Sequence, residues 1–224
     1  MDWVAIGLSV KLASCVCVIL LLGGTPLAWW IAFSPRRWKF LVESLVAMPL
    51  VLPPTVLGFY ILIAMGPRSP VGSLYQRLTG GGLPFSFPGL VVASVLYSLP
   101  FAVQPIVASF TQVDPRLTDA AAVLGASGWR RFFTITLPLS SAGILTGAVL
   151  SFAHTLGEFG IVLMVGGNIP GVTQTVSISI YDQVQSLNYA MAARTSLLLL
   201  VFSFVVLSLV YGLNRRWWMV GGGR

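Results

Sequence analysis

Charge is what this chain has least of. Only 8% of its 224 residues are Asp, Glu, Lys or Arg, against roughly 25% in soluble domains, which excludes an ordinary water-soluble globule. Acids are scarcer than bases, 6 against 13, and the bases lie in short clusters between apolar runs. No stripe of Lys and Arg interleaves with aromatics on a polar domain, so nucleic acid is excluded as a partner. Histidine occurs once and cysteine twice. His154 has no Cys, Asp or second His at ligand spacing, so no metal site is expected. Cys15 and Cys17 point about 200° apart on a helix; they cannot readily bridge and are read as small packing residues. There is no nucleophile–base–acid set and no Gly-x-x-x-x-Gly-Lys-Ser/Thr phosphate loop. The chain is therefore expected to be no enzyme and to bind no cofactor. No internal repeat, low-complexity tract or second domain is visible, and 1–224 reads as one domain.

What fills the sequence instead is apolar: 56% hydrophobic residues and a mean hydropathy of +0.90. A bilayer core takes about 20 apolar residues as helix. Residues 12–34 are free of charge and extend back toward Trp3, giving a first span over about 5–33. Further spans are expected at 44–65, 88–110, 138–165 and 195–213. The fold class is therefore all-α integral membrane with five transmembrane helices. The N-terminus lacks the basic start of a cleavable signal, having Asp2 there, and its apolar run is too long. The first span is expected to remain in the mature protein.

Lys and Arg set the orientation of such a chain. Arg36, Arg37, Lys39, Arg116, Arg130, Arg131, Arg215, Arg216 and Arg224 fall on one side, nine in all; Lys11, Arg68, Arg77 and Arg194 fall on the other. Nine against four places the N-terminus outside, and the 114–137 loop and C-terminus in the cytoplasm. On the outside, 66–87 reads as a Gly/Pro-rich loop with one short helix over 71–78. Val172, Val176, Ile180 and Val184 recur at four-residue spacing among polar residues. They predict an amphipathic helix, at the interface or against the bundle, too polar to be a sixth span.

The 114–137 loop has its own local logic. Asp114 can cap a helix that Pro115 opens, and Ala120, Ala121 and Ala122 are strong helix formers. Gly125 fits the left-handed position that ends a helix. Ser127 can cap a second short helix through Trp129, Arg130 and Phe133, and Pro138 opens the fourth span. Any two-helix loop can simply cover the mouth of a bundle. The spacing is more specific. Asp119-Ala120-Ala121, then Gly125, then Ile135 and Leu137-Pro138, within DAAAVLGASGWRRFFTITLP, resembles the EAA loop of bacterial ABC importer permeases, with Asp for the usual Glu. The resemblance implies a cytoplasmic coupling loop that docks into a separate ATPase. That ATPase, not this chain, would hold ATP and Mg.

Three constellations lie within the apolar segments. Gly143, Gly147 and Ser151 recur every four residues and let helices approach closely, either inside the bundle or at a dimer interface. Pro49, Pro53 and Pro54 break the second span, either as a plain kink or to line a pathway. Glu158 is the only acid well inside an apolar segment, and such residues are functional candidates. Measured along a straight helix from Pro138, it comes about 30 Å on, near the outer surface, as an outer-gate residue or a substrate contact. His154, one turn earlier, is packed or bonded to Glu158.

Beyond the loop, MPLVLPPTVLGFYIL (48–62), GASGWRRFFTITLPLS (125–140), SFAHTLGEFGIVLMVGGNIPGVTQT (151–175) and GGTPLAWWIA (23–32) resemble the molybdate importer permease subfamily. The resemblance implies an importer for molybdate, with tungstate or sulfate as the alternative oxyanion. It also implies a homodimeric permease, two ATPase subunits and a periplasmic or lipid-anchored binding protein. The rival class is a proton-coupled secondary carrier using Glu158 and His154.

Overall fold

Helix α1, Trp3–Phe33, is opened by the Asp2 carboxylate, which accepts the Ala5 N–H at 3.0 Å, and carries Pro26 in its interior. The computed structural model describes residues 2–221, with backbone alone for Val210, Tyr211 and residues 213–221. Arg224 lies outside the described residues, as do the side chains of Arg215 and Arg216. Leu12, Val16 and Leu20 repeat at four-residue spacing along α1 and are fully buried, so this helix turns one stripe inward over its whole length.

The chain continues through α2, Lys39–Ala47, a 3₁₀ turn at Met48–Leu50, and α3, Pro54–Met65. Between them the axis bends by 111°. Proline explains the bend: residues 53 and 54 have no N–H, so the carbonyls of Pro49 and Leu50 lose their helical partners. Pro53 is extended (φ −56°, ψ 137°) and Pro54 stands at the first position of α3. α4, Pro70–Thr79, is capped by Ser69 and ends at Gly80 in the left-handed region. α5 spans Phe87–Thr111.

Then come α6, Pro115–Val123, α7, Gly128–Arg131, a π-helical turn at Phe132–Thr136, and α8, Leu137–Leu139. After a 68° bend follow α9, Ser141–Gly157, α10, Gly160–Gly166, α11, Val176–Gln185, and α12, Tyr189–Gly221.

Helices α1, α5 and α9 pack on one another as the core, α10 seats on α3 and α5, and α11 packs on α12 and α1. Leu90, Ala93, Ala102, Ile161, Val162 and Val165 join the α1 stripe in one buried cluster. A second cluster gathers Ala28, Ile31, Val103, Ile106 and Phe110. Gly143 and Gly147 lie where α9 crosses α5. A β-carbon on Gly147 would stand 2.7 Å from the Ala102 carbonyl oxygen, and one on Gly143 would overlap Ser109. These glycines, with buried Ser151, face the interior of the bundle. Cys17 packs against α9 with Sγ 3.4 Å from the Ala148 carbonyl, while Cys15 is exposed.

Among the described residues, three helices are long and apolar enough to cross a bilayer: α1, α5 and α12 over Tyr189–Leu209. The bent pairs across 39–65 and 128–157 each pass the same test when taken together. The expected continuous fourth span at 138–165 is corrected. It is turned at Ser140 and broken again at Glu158–Phe159, because Glu158 is extended (φ −68°, ψ 135°) between Gly157 and Gly160. The amphipathic helix starts at Val176 rather than Val172. It buries Val176, Ile178 and Ser179 against the bundle, with the Val176 N–H donated to Ser9 Oγ at 2.8 Å.

Candidate functional site

Two places gather the candidate chemistry: the loop between α5 and α9, and the polar cluster where α9 breaks. In the loop, Asp114 accepts the Arg116 N–H at 2.9 Å and Ser127 accepts the Arg130 N–H at 3.3 Å. Between these caps, α6 ends in a Schellman turn. The Ala126 N–H reaches the Ala121 carbonyl and the Gly125 N–H the Ala122 carbonyl, both at 2.9 Å. Gly125 takes φ +81°, a conformation costly for any residue with a β-carbon. Asp119, Ala120, Trp129, Arg130 and Pro138 are exposed, while Ala121, Ile135 and Leu137 are half-buried. At the tip, Val123 and Leu124 are 88% and 87% exposed. Bare apolar side chains at the end of a polar loop make a natural seat for a partner.

The loop is held from behind by rings. Trp129 stacks on Trp29 at 6.5 Å between centroids. Phe132 meets Trp29 edge-on at 5.9 Å and the buried Phe110 at 6.0 Å. The loop is thereby tied to the ends of α1 and α5.

In the second place, Ser98 Oγ lies 3.0 Å from His154 Nδ1 and 2.9 Å from Thr155 Oγ1, and Thr155 donates to the Ser151 carbonyl at 2.8 Å. Each hydroxyl has one proton, so only one assignment satisfies all three contacts. Thr155 donates to Ser151, Ser98 donates to Thr155, and His154 Nδ1–H donates to Ser98. The neutral ring then carries its lone pair on Nε2, and its face stacks on Phe101 at 3.8 Å. The tautomer is assigned from this network.

Glu158 is buried and its Oε1 accepts the Ile161 N–H at 3.0 Å, so it caps α10. The straight-helix ruler from Pro138 does not apply to it, because Pro138 belongs to α8, before the 68° bend, and α9 itself ends at Gly157. Of the two expectations for His154, the packed ring is the one found, against Phe101 and Tyr97 and bonded to Ser98, with no His154–Glu158 bond among the described residues. Pro54 packs beside Gly160, where an added β-carbon would lie 2.7 Å from Pro54 Cβ, and Pro49 is buried at the bend. The two broken spans therefore meet.

Residues 24–219 match the family model described as binding-protein-dependent transport system inner membrane component. The chain belongs to this family. Among curated relatives of this permease, the molybdenum transport system permease protein ModB of Azotobacter vinelandii is 51% identical over 214 residues, covering 96% of this chain and 95% of that protein. ModB of Haemophilus influenzae is 38% identical, covering 93% of each. Among solved structures, the bacterial ABC transporter involved in import of the acidic polysaccharide alginate aligns with TM-score 0.74 at 19% identity. It covers 95% of this chain and 78% of that one. The methionine transporter MetNI aligns with TM-score 0.72 at 13% identity, covering 95% and 94%. At such identities the likeness establishes the permease fold.

Sequence reasoning passed over Ser98, Trp29 and Phe110, and gave Phe132 only a place in the second short helix of the loop. A hydroxyl inside a span is a signal for the first, and an aromatic at the end of a span for the others.

Proposed function

We propose that this permease is the membrane-spanning subunit of an ATP-driven importer for molybdate, acting as a homodimer with two ATPase subunits and an external binding protein. ATP and Mg belong to the ATPases. The observation that carries the reading is the loop: two rigidly capped helices turned at Gly125, with Val123 and Leu124 offered outward and the rings anchored behind. A helix of that kind fits a groove on a nucleotide-driven partner. The cargo comes from the relatives named for molybdenum transport. Five spans, two of them bent, put the N-terminus outside and the C-terminus in the cytoplasm. A reporter after Arg224 is expected to work only if its activity needs the cytoplasm, and one at the N-terminus only if it needs the outside. Both ends labelling from one side would overturn the span count.

A proton-coupled carrier would need a relay through Glu158 and His154. What supports the importer is that each of the two is committed elsewhere, Glu158 to capping α10 and His154 to Ser98. The test is uptake into proteoliposomes holding permease, ATPase and binding protein, with ATP inside. Molybdate is expected to enter with protonophore present. Glu158→Gln keeps an acceptor oxygen for the cap and should stay within about threefold of wild type. Uptake that collapses with protonophore at constant ATP, and with Glu158→Gln, would establish the carrier instead. Tungstate and sulfate in the same assay decide the cargo.

A further inference from the structure

The chain offers two mechanical routes from the loop into the membrane, and they differ in stiffness. The covalent route runs along α7 and α8 into α9. It is interrupted by the π-helical turn at Phe132–Thr136 and by the 68° bend at Ser140. Both are features at which a helix yields. The second route runs through rings. Trp129 stacks on Trp29, with planes 17° apart. Trp29 meets Phe132 at 5.9 Å, Phe132 meets Phe110 at 6.0 Å, and Phe110 meets Phe33 at 6.3 Å. Trp29 and Phe33 belong to α1 and Phe110 to α5. Phe110 is fully buried, so what reaches its ring reaches the packed core.

Aromatic rings in contact shift as blocks, since close-packed side chains have few alternative arrangements. A cleft of about 200 Å³ lies beside them, lined by Trp29, Phe33, Thr118, Arg131, Phe132 and Thr136. It leaves the rings room to tilt on one side. Helix α9, by contrast, is tied to α5 by a reciprocal pair. Ser109 Oγ donates to the Ser140 carbonyl at 3.3 Å and Ser140 Oγ to the Ser109 carbonyl at 3.4 Å. It therefore follows α5 at that seat.

We infer that Trp29, Phe132 and Phe110 form an aromatic clamp that delivers displacement of the 114–137 loop directly to α1 and α5, bypassing the yielding start of α9. These are positioning residues: they touch neither cargo nor nucleotide. α5 carries Ser98, which holds His154, so a shift of α5 reaches the polar cluster without passing along α9. The inference rests on the importer reading, and one assay separates the two.

Trp29 is the residue to change, because it lies on α1, outside the loop offered to the ATPase. In the reconstituted complex, three quantities are read: co-purification with the ATPase, ATP hydrolysis with loaded binding protein, and molybdate imported per ATP. Trp29→Ala is expected to leave the first unchanged and the second within about twofold. Molybdate per ATP should fall about tenfold, within the range by which single contacts alter coupling between sites. Trp29→Phe should recover most of it.

Phe132→Leu keeps bulk but loses the edge-on contacts, and should reproduce the defect. It carries the test if Trp29→Ala lowers the amount of folded chain. The double variant should be no worse than either single one, as expected for two members of one contact. Unchanged molybdate per ATP in both single variants, or losses that multiply in the double, would overturn the clamp. A wild-type complex without ATP-dependent uptake would sink the importer reading itself, and that is visible before any variant is made.

Discussion

Gly125→Val is expected to abolish most ATP-driven uptake while the protein still inserts and accumulates in the membrane. The residue holds φ +81° at the Schellman turn. There any side chain with a β-carbon costs about 1–2 kcal/mol in the left-handed region, and valine adds the further penalty of branching. Nothing crowds the position: a β-carbon on Gly125 would meet no atom within 4 Å. The cost is therefore one of backbone conformation, confined to the angle between α6 and α7, and the core has no reason to fail. About tenfold or greater loss of uptake follows if that angle must be kept for docking, since 1.4 kcal/mol is a factor of ten. Co-purification with the ATPase should weaken in parallel. Gly125→Asn should be milder, because Asn tolerates the left-handed region. Wild-type uptake in the valine variant would show that the loop's angle is not used.

Gly147→Leu is expected to act in the opposite place, on the fold. Even a β-carbon there would stand 2.7 Å from the Ala102 carbonyl and 3.2 Å from Ile106. A carbonyl of α5 cannot move aside as a flexible side chain can. Overpacking of this kind costs about 1–3 kcal/mol, at times more. Leucine adds three carbons beyond the first, so α9 must separate from α5. The expected result is a large drop in thermal stability in detergent and in the yield of folded protein, with whatever remains folded inactive. Gly147→Ala should show the same defect in reduced form. If Gly147→Leu left stability intact, the close crossing of α5 and α9 would be wrong.

These two glycines illustrate what could be read from the sequence. Gly125 announced its own conformation because local chemistry surrounds it: Asp114 and Pro115 before, Ser127 after, and three alanines between. The 71–78 helix was read within a Gly/Pro-rich loop, and the structure opens it at Pro70 under a Ser69 cap. The break at Pro53 and Pro54 was legible because proline lacks the donor a helix needs. Gly147 showed its small size but not its neighbour, since nothing in a repeat of small residues says which helix it meets. The break at Glu158 was hidden for another reason. An acid in an apolar run reads as a charge to be explained, whereas here its carboxylate replaces the helical partner of the Ile161 N–H and so ends one helix and starts the next. The π-helical turn at Phe132–Thr136 was also not legible, since its residues carry no local signal that separates it from a regular helix. The ring cluster joins residues about a hundred positions apart, and periodicity carries no information across that distance.

The meeting of the two broken spans has a consequence for how the protein is made. A ribosome delivers Pro54 more than a hundred residues before Gly160, yet α10 is the helix on which α3 seats. Through that interval the face of α3 that carries Gly58 and Ile61 lacks its seat on Ile161 and Met164 of α10. Spans α1 and α5 can enter the bilayer as finished helices. The bent second span cannot be finished on arrival and is completed only when three-quarters of the chain has been synthesised. Packing of this protein therefore closes late, when residues 160–166 arrive and α3 takes its seat on α10.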